Sequence, residues 1–405
     1  MMNKIPKGWE VKKLGEICEI TMGQSPKGEN VFENSQSLNG LEFHQGKICF
    51  TDKFISKSKF ITSDIRKIAE VGSILLCVRA PVGVINLTER KIAIGRGLCA
   101  LKANNQNNNF LYYYLLGLKQ YFESKATGST FSAITLNIVK NCEIPLPPLS
   151  EQKAIADKLD DSFAKIENAI TNLINAKENL KLYKQSVLKS AFNGDLLPNT
   201  SPTHWEVKKL GEICEINPKT EILLLNENDE VSFIPMASVE AETNIFTESK
   251  SKFSKVKKGY TKFRDNDILF AKITPCMENG KICIVNNLKF GIGFGSTEFH
   301  VIRPNKNTLS KYIYYFVSQI SFRQMAQIYM TGAVGQRRVP SKILENFEIP
   351  LPPLSEQNLI VAEIDRRFAI VDKTLNLIDK SIQNAKNLKQ SILKKAFSGE
   401  LRSEI

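Results

Sequence analysis

Two short glycine-containing segments hold the residue types with the most chemical promise, TGSTFSAI (127–134) and TGAVGQRRV (331–339). Hydroxyl groups, and the backbone N–H groups that glycine leaves uncovered, suit phosphate oxygens. An arginine suits the O6/N7 edge of guanine, which it meets with two parallel hydrogen bonds. The candidates are Thr127, Gly128, Ser129 and Thr130 in the first segment and Thr331, Gly332, Gln336, Arg337 and Arg338 in the second. Arg337 and Arg338 are the sharper pair. A plain surface turn explains the same letters about as well. Arg79, Arg96 and Lys272 flank apolar runs and join the candidates, against the simpler reading of solvated charges at strand edges.

Signatures of catalysis are missing from the same letters. There is no G-x-x-x-x-G-K-[ST] for ATP, no G-x-S-x-G and no H-E-x-x-H. Asn217-Pro218-Lys219 stops short of the N-P-P-[FY] segment of amino-methyltransferases, and Glu248-Ser249-Lys250 is too common a pattern to signal a nuclease. Three histidines, widely spread, give a histidine triad little support. Eight cysteines without a C-x-x-C pair argue against structural zinc, and Cys18 and Cys214 read as small packed hydrophobes. The chain is expected to bind and not to catalyse, with no metal and no cofactor of its own.

The 405 residues carry 55 Lys and Arg against 42 Asp and Glu, a formal net charge of +13. Such an excess favours an anionic partner, nucleic acid first, while an acidic protein surface or a membrane face would also fit. No run approaches the roughly 18 apolar residues of a membrane helix. MMNKIPKGWEVKK at the N-terminus lacks the apolar core of a signal peptide. With scattered thiols, this predicts a cytoplasmic protein with no membrane partner.

The sequence is written twice. WEVKKLGEICEI occupies 9–20 and again 205–216, an offset of 196; EIPLPPLSEQ occupies 143–152 and 348–357, an offset of 205. QSVLKSAFNGDL (185–196) returns as QSILKKAFSGEL (390–401). Between these markers the copies share only scattered features. Ile74-Leu75-Leu76 matches Ile268-Leu269-Phe270, and Ile94-Gly95-Arg96-Gly97 matches Ile292-Gly293-Phe294-Gly295. Drift would blur the frame as well as the inserts. A constant frame around two different inserts therefore predicts two modules built alike that meet different targets.

Each copy ends in a long helix. Segments 151–193 and 356–398 contain no Gly or Pro. Ser150 and Ser355 stand where an N-cap belongs, and Gly194 and Gly399 where a C′ glycine belongs. Leu159, Ile166, Leu173, Leu180 and Val187 recur every seven residues, with Phe163, Ile170 and Tyr183 widening the stripe. Ile364, Val371, Ile378, Ala385 and Ile392 follow in register, beside Phe368, Leu375 and Leu388. This is a coiled-coil seam. A helix of about 43 residues spans roughly 65 Å, whereas the ten residues from Gly194 to Thr203 reach at most about 34 Å. The second helix is thus expected to run back antiparallel to the first, with a pseudo-two-fold axis between the copies.

The fold class that follows is α+β: two mixed α/β modules on two long antiparallel helices. The segments are 1–149, helix 150–196, 197–354 and helix 355–405. Short apolar runs such as Ser73–Val78 and Lys281–Val285 read as strands, and Phe110–Phe122 and Leu309–Tyr329 as helices.

W-x-V-x-x-L-G-E-I, a variable stretch, a TG loop, PLPPLSEQ and a long helix, all doubled, resembles the specificity subunit of type I restriction-modification systems over essentially the whole chain. The resemblance implies two target-recognition domains, each reading one half of a bipartite site in double-stranded DNA, with the helices setting the spacer. It implies two modification subunits as partners, docked on Pro147, Pro148, Leu149, Pro352, Pro353 and Leu354 and on the helices that carry Leu159, Ile166, Leu173, Leu180, Ile364, Val371 and Ile378. Those partners would bring S-adenosylmethionine, and restriction subunits would bring ATP and Mg. The competing reading is a non-catalytic protein-binding adaptor with two interaction modules.

Overall fold

A computed structural model describes residues 5–33, 40–128, 132–198, 202–222, 225–333 and 335–401. The chain divides into two compact units, Met1–Leu173 with Asp379–Ile405, and Ile174–Ile378. The first unit holds β1 (Glu10–Lys13), α1 (Leu14–Ile17), β2 (Cys18–Met22), β3 (Val31–Glu33), β4 (Leu41–His44), β5 (Phe60–Thr62), β6 (Ile68–Ala69), β7 (Ile74–Cys77), β8 (Ile85–Leu87), β9 (Ile92–Ile94), β10 (Leu98–Ala103), α2 (Asn108–Leu116), α3 (Lys119–Lys125), α4 (Leu136–Lys140), β11 (Glu143–Leu146) and the start of α5 (Leu149–Asn193). The second holds the rest of α5, then β12 (Glu206–Lys209), α6 (Leu210–Ile213), β13 (Cys214–Ile216), β14 (Glu230–Ile234), β15 (Ser249–Lys252), α7 (Phe253–Val256), β16 (Thr261–Arg264), β17 (Ile268–Ala271), β18 (Ile282–Ile284), β19 (Ile292–Gly295), β20 (Phe299–Pro304), α8 (Ser310–Val317), α9 (Ile320–Ile328), α10 (Ser341–Asn346), β21 (Glu348–Leu351) and most of α11 (Leu354–Ser398).

Strand order repeats between the units. An antiparallel sheet runs β2-β10-β7-β8 in the first and β13-β20-β17-β18 in the second. A second sheet runs β3-β5-β4-β9-β6 in the first and β15-β14-β19-β16 in the second, with the parallel pairs β4/β9 and β14/β19. The continuous apolar runs explain why the central strands lie in the middle. Along β7, Ile74 and Leu76 face a helix-lined core, while Leu75 and Cys77 face a core shared with Ile92 and Ile94 of the second sheet. Along β17, Ile268 and Phe270 face one side and Leu269 and Ala271 the other. Successive side chains alternate, so a strand covered on both faces must be apolar throughout.

The repeated frame is a set of residues bonded to one another. Trp9 Nε1–H donates to Glu151 (3.0 Å) and Trp205 Nε1–H to Glu356 (2.9 Å). The buried Gln152 amide accepts from Asn107 N–H (3.0 Å) and donates to Pro147 O (2.9 Å). Gln357 repeats this with Leu309 N–H (2.9 Å) and Pro352 O (2.9 Å). Strands β1 and β11 pair, as do β12 and β21, joining the start of each module to the PLPPL segment.

The expectation that Ser150 and Ser355 cap the helices does not hold. The helices begin one residue earlier, at Leu149 and Leu354, and Pro148 O and Pro353 O accept the first i+4 bonds, from Gln152 N–H (3.0 Å) and Gln357 N–H (3.0 Å). The C′ glycines hold. Gly194 and Gly399 adopt φ of 83° and 82°, the left-handed region where glycine has no Cβ penalty.

Helices α5 and α11 pack together antiparallel. In the first unit Lys389 pairs with Glu167 and lies 4.6 Å from the Phe163 ring centroid. In the second, Lys184 pairs with Asp372 and lies 4.8 Å from Phe368. Each residue of one set is 205 positions from its counterpart in the other, so both units use one register. Leu159, Ile166, Ile364, Val371 and Ile378 are buried in the seam, and Leu173 and Leu180 half-buried. Tyr183 and Leu388 depart from the expected stripe: they are equivalent positions, 42% and 50% exposed, because an ideal helix drifts away from a strict seven-residue repeat.

Candidate nucleic-acid interface

In both units the two ends of the TG segment pair with each other and are pinned to the end of the central strand. In the first, Thr127 and Ala133 exchange two backbone bonds of 3.0 Å each, Ile134 N–H donates to Val78 O (2.9 Å), and Val78 N–H donates to Gly97 O (3.0 Å). In the second, Thr331 and Arg338 exchange bonds of 3.0 and 2.8 Å, Val339 N–H donates to Lys272 O (2.9 Å), and Lys272 N–H donates to Glu298 O (2.9 Å). The glycine is needed. Gly332 has φ of 122°, and a Cβ there would meet Gln336 O at 2.8 Å. Gly128 has φ of 118° in the matching place.

This geometry gathers the predicted residues at one end of each sheet. Arg79, Arg96, Thr127 and Gly128 are exposed together in the first unit, and Ser129 and Thr130 lie outside the described residues. Arg96 N–H donates to Ser25 Oγ (3.2 Å), whose hydroxyl donates to Gln45 Oε1 (2.9 Å). Neither Ser25 nor Gln45 was marked by a motif.

In the second unit, Thr331, Gly332 and Gln336 are exposed, and Lys272 is half-buried. The two arginines already have partners. Arg338 meets both oxygens of Glu298 (2.9 and 2.7 Å) and donates to Gln336 O (3.0 Å). This contact holds the Glu298 carboxyl below the usual carboxylate range. Arg337 donates to Met330 O (3.0 Å) and Gln327 O (3.3 Å), tying the segment to the end of α9.

The backbone bonds also correct the alignment of the inserts. Gly95 N–H donates to His44 O (2.8 Å) as Ser296 N–H does to Ile234 O (3.3 Å), and Gly97 O serves Val78 as Glu298 O serves Lys272. Ile94-Gly95-Arg96-Gly97 therefore corresponds to Gly295-Ser296-Thr297-Glu298, three residues beyond the I-G-x-G match in the letters. Arg96 occupies the place of Thr297, Arg79 that of Ile273, and Lys272 that of Val78.

Beside Lys272 the second unit opens a cleft of about 540 Å³ lined by Asn217, Lys219, Thr220, Lys262, Lys272 and Thr297, among others. Its floor is held by hydrogen bonds. Asn217, at a left-handed φ of 55°, accepts from Val301 N–H (3.1 Å) and donates to His300 Nδ1 (2.9 Å). His300 Nε2–H donates to Val339 O (2.7 Å), so the neutral tautomer fits. Burial pushes its pKa down. The buried Arg303 meets Asp267 with two bonds (2.8 and 2.7 Å) and donates to Thr220 Oγ1 (3.0 Å). Asn217-Pro218-Lys219 drew attention in the sequence only as a failed methyltransferase motif; Lys219 and Lys262 carried no signal.

Of the proposed docking residues, Pro148, Leu149, Pro353 and Leu354 are exposed, while Pro147 and Pro352 are buried. All eight cysteines are unpaired, and burial pushes the thiols of Cys18, Cys77, Cys99, Cys142, Cys214 and Cys283 up to about 12, as small packed hydrophobes. Among the described residues, no group of three or more His, Cys, Asp and Glu is placed to hold a metal, and no helix is long and apolar enough to cross a membrane.

Comparison with known proteins agrees with the duplication. The Type I restriction modification DNA specificity domain matches residues 6–176 and again 202–385. The Escherichia coli type I restriction enzyme EcoEI specificity subunit is 38% identical over 205 residues, which cover 49% of this chain and 34% of that protein. The chain thus spans about a third of the length of this relative, and likewise of the EcoAI specificity subunit. The EcoKI specificity subunit of Escherichia coli K12 is 23% identical over 99% of this chain and 91% of its own. A chain solved in work on assembly and conformational transition of the type I R-M system shares the fold with a TM-score of 0.77, at 22% identity, covering 98% of this chain and all of that one (100%). The HsdS subunit of Thermoanaerobacter tengcongensis gives 0.57 at 22% identity, covering 98% of each chain. With the domain present twice and most of its residues inside those two matches, the chain belongs to the type I restriction modification DNA specificity family.

Proposed function

We propose that this protein is the DNA-reading subunit of a type I restriction-modification complex. Each unit reads one half of a bipartite duplex site, and the paired helices set the spacer. One observation carries the reading: equivalent segments, pinned to the same strand end by the same backbone bonds, are flanked by Arg79 and Arg96 in one unit and by Ile273 and Thr297 in the other. Backbone geometry fixes where a reading edge lies, and side chains decide what it reads. The chain itself supplies recognition and no chemistry. Modification subunits, docked on Pro148, Leu149, Pro353, Leu354 and the outer helix faces, bring S-adenosylmethionine; restriction subunits bring ATP and Mg. The work belongs where the chromosome is, in the cytoplasm.

The test is selection from a random duplex pool by the full chain together with its modification subunits. A split motif with an unread spacer is the expected result. A single uninterrupted motif, or no enrichment, overturns the reading and favours a protein-binding adaptor.

A further inference from the structure

The two units place their unpaired cations differently. The first carries Arg79 and Arg96 at the rim, where the second has Ile273 and Thr297. The second carries Lys219, Lys262 and Lys272 in its cleft. By the same strand registers and backbone bonds, Lys262 and Lys272 stand where the first unit has Ile68 and Val78, and Lys219 follows the left-handed Asn217 just past the end of β13. None of the three lysines makes an ion pair among the described residues. The carboxylate next to Lys272, Glu298, is already held at both oxygens by Arg338.

The cleft is built for an anion. Its cations share the lining with Thr261 and Thr297, whose side chains carry hydroxyls. The loop bearing Lys219 is clamped on both sides by buried groups, His300 on Asn217 and Arg303 on Thr220. A cluster of ammonium and hydroxyl groups, with the neighbouring Glu298 carboxylate already held by Arg338, suits tetrahedral phosphate oxygens.

We infer that this cleft is a backbone-phosphate clamp belonging to the second unit alone, and that the first unit obtains its electrostatic hold from Arg79 and Arg96 instead. This rests on the DNA-recognition reading and deepens it: the lysines hold the strand and leave the sequence to other groups. Phosphate contacts release counterions, so each one adds about 0.9 to the slope of log affinity against log salt.

The experiment compares the full chain with its modification subunits, the Lys219→Gln/Lys262→Gln/Lys272→Gln variant, and the charge-preserving Lys219→Arg/Lys262→Arg/Lys272→Arg variant. The probe is a mixed-sequence duplex titrated across salt. The glutamine variant is expected to bind at least tenfold more weakly at low salt, with a slope shallower by about 2.7, and to leave the methylated motif unchanged. The arginine variant is expected to restore the slope. A variant that had merely misfolded would lose active protein without changing the slope. An unchanged slope in the glutamine variant, or an altered motif, overturns the clamp while the recognition reading stands. Failure of the unsubstituted protein to bind any duplex removes the recognition reading and the clamp with it.

Discussion

Asn217 holds a left-handed backbone that asparagine tolerates better than most side chains, and its amide is fixed by a histidine that must be neutral to accept from it. Burial holds the His300 pKa below the ordinary histidine value of about 6.5. The unfolded chain therefore takes up a proton that the folded one refuses, and the stability of the second unit is expected to fall as pH drops below about 6.5. Denaturant unfolding at neutral and mildly acidic pH checks this. His300→Gln should flatten the part of the pH dependence that tracks the second unit; an equally steep curve would show that His300 does not titrate there. The neighbouring pair makes a larger demand. Removing Arg303 leaves Asp267, 1% exposed, as an uncompensated buried charge. Arg303→Met should cost roughly 3–5 kcal/mol in denaturant unfolding, mostly in the second unit, and a loss under about 1 kcal/mol would mean that water reaches the carboxylate. None of this was legible in the letters. Asp267 lies far along the chain from Arg303, as Asn217 does from His300, and only the pairing of β20 with β17 and β13 brings each to its partner. Arg337 and Arg338 were visible as a motif, but their partners Glu298 and Met330 were not.

At the scale of elements the sequence was a better guide, because periodicity is a local property. The heptad seam, the C′ glycines and the central strands follow from spacing alone. The start of each helix does not, since a proline carbonyl and a buried glutamine serve where a serine cap was expected. Each presumed helix of the inserts is two helices, broken at Gly117 and at Ser318-Gln319. The helix ends carry a sharper prediction. Phe397 packs edge-on against Phe110 (centroids 5.4 Å apart) and Tyr114 (5.1 Å) in the first unit. Its repeat, Phe192, packs against Tyr312 (5.0 Å) and Phe316 (5.2 Å) in the second. Each module thus has the last turn of the other copy's helix in its core. Phe397→Ala should cost about 3 kcal/mol and raise amide exchange in α2, while Phe192→Ala should raise it in α8. Substitutions that loosen the opposite unit in each case would contradict this exchange of helix ends.

For the whole molecule, the question is how one frame accepts inserts as different as these two. The frame grips the insert chiefly through its backbone. Gln152 accepts from the N–H of Asn107, and Gln357 accepts from that of Leu309 and donates to Asn307 O (3.2 Å). Bonds to backbone groups survive a change of nearly every side chain, so the frame can stay constant while the reading surface varies. The sequence showed the constancy without its cause, because a side chain bonded to a distant N–H leaves no mark on the residue that owns it. It follows that the exchange unit is best cut inside the frame. Replacing residues 217–347 with those of a relative keeps Trp205 on Glu356 and β12 on β21. Methylome sequencing of cells carrying such a chimera should show one half of the modified motif replaced and the other half intact. A change in both halves, or in neither, would mean that recognition is not divided between the two inserts, however alike their folds.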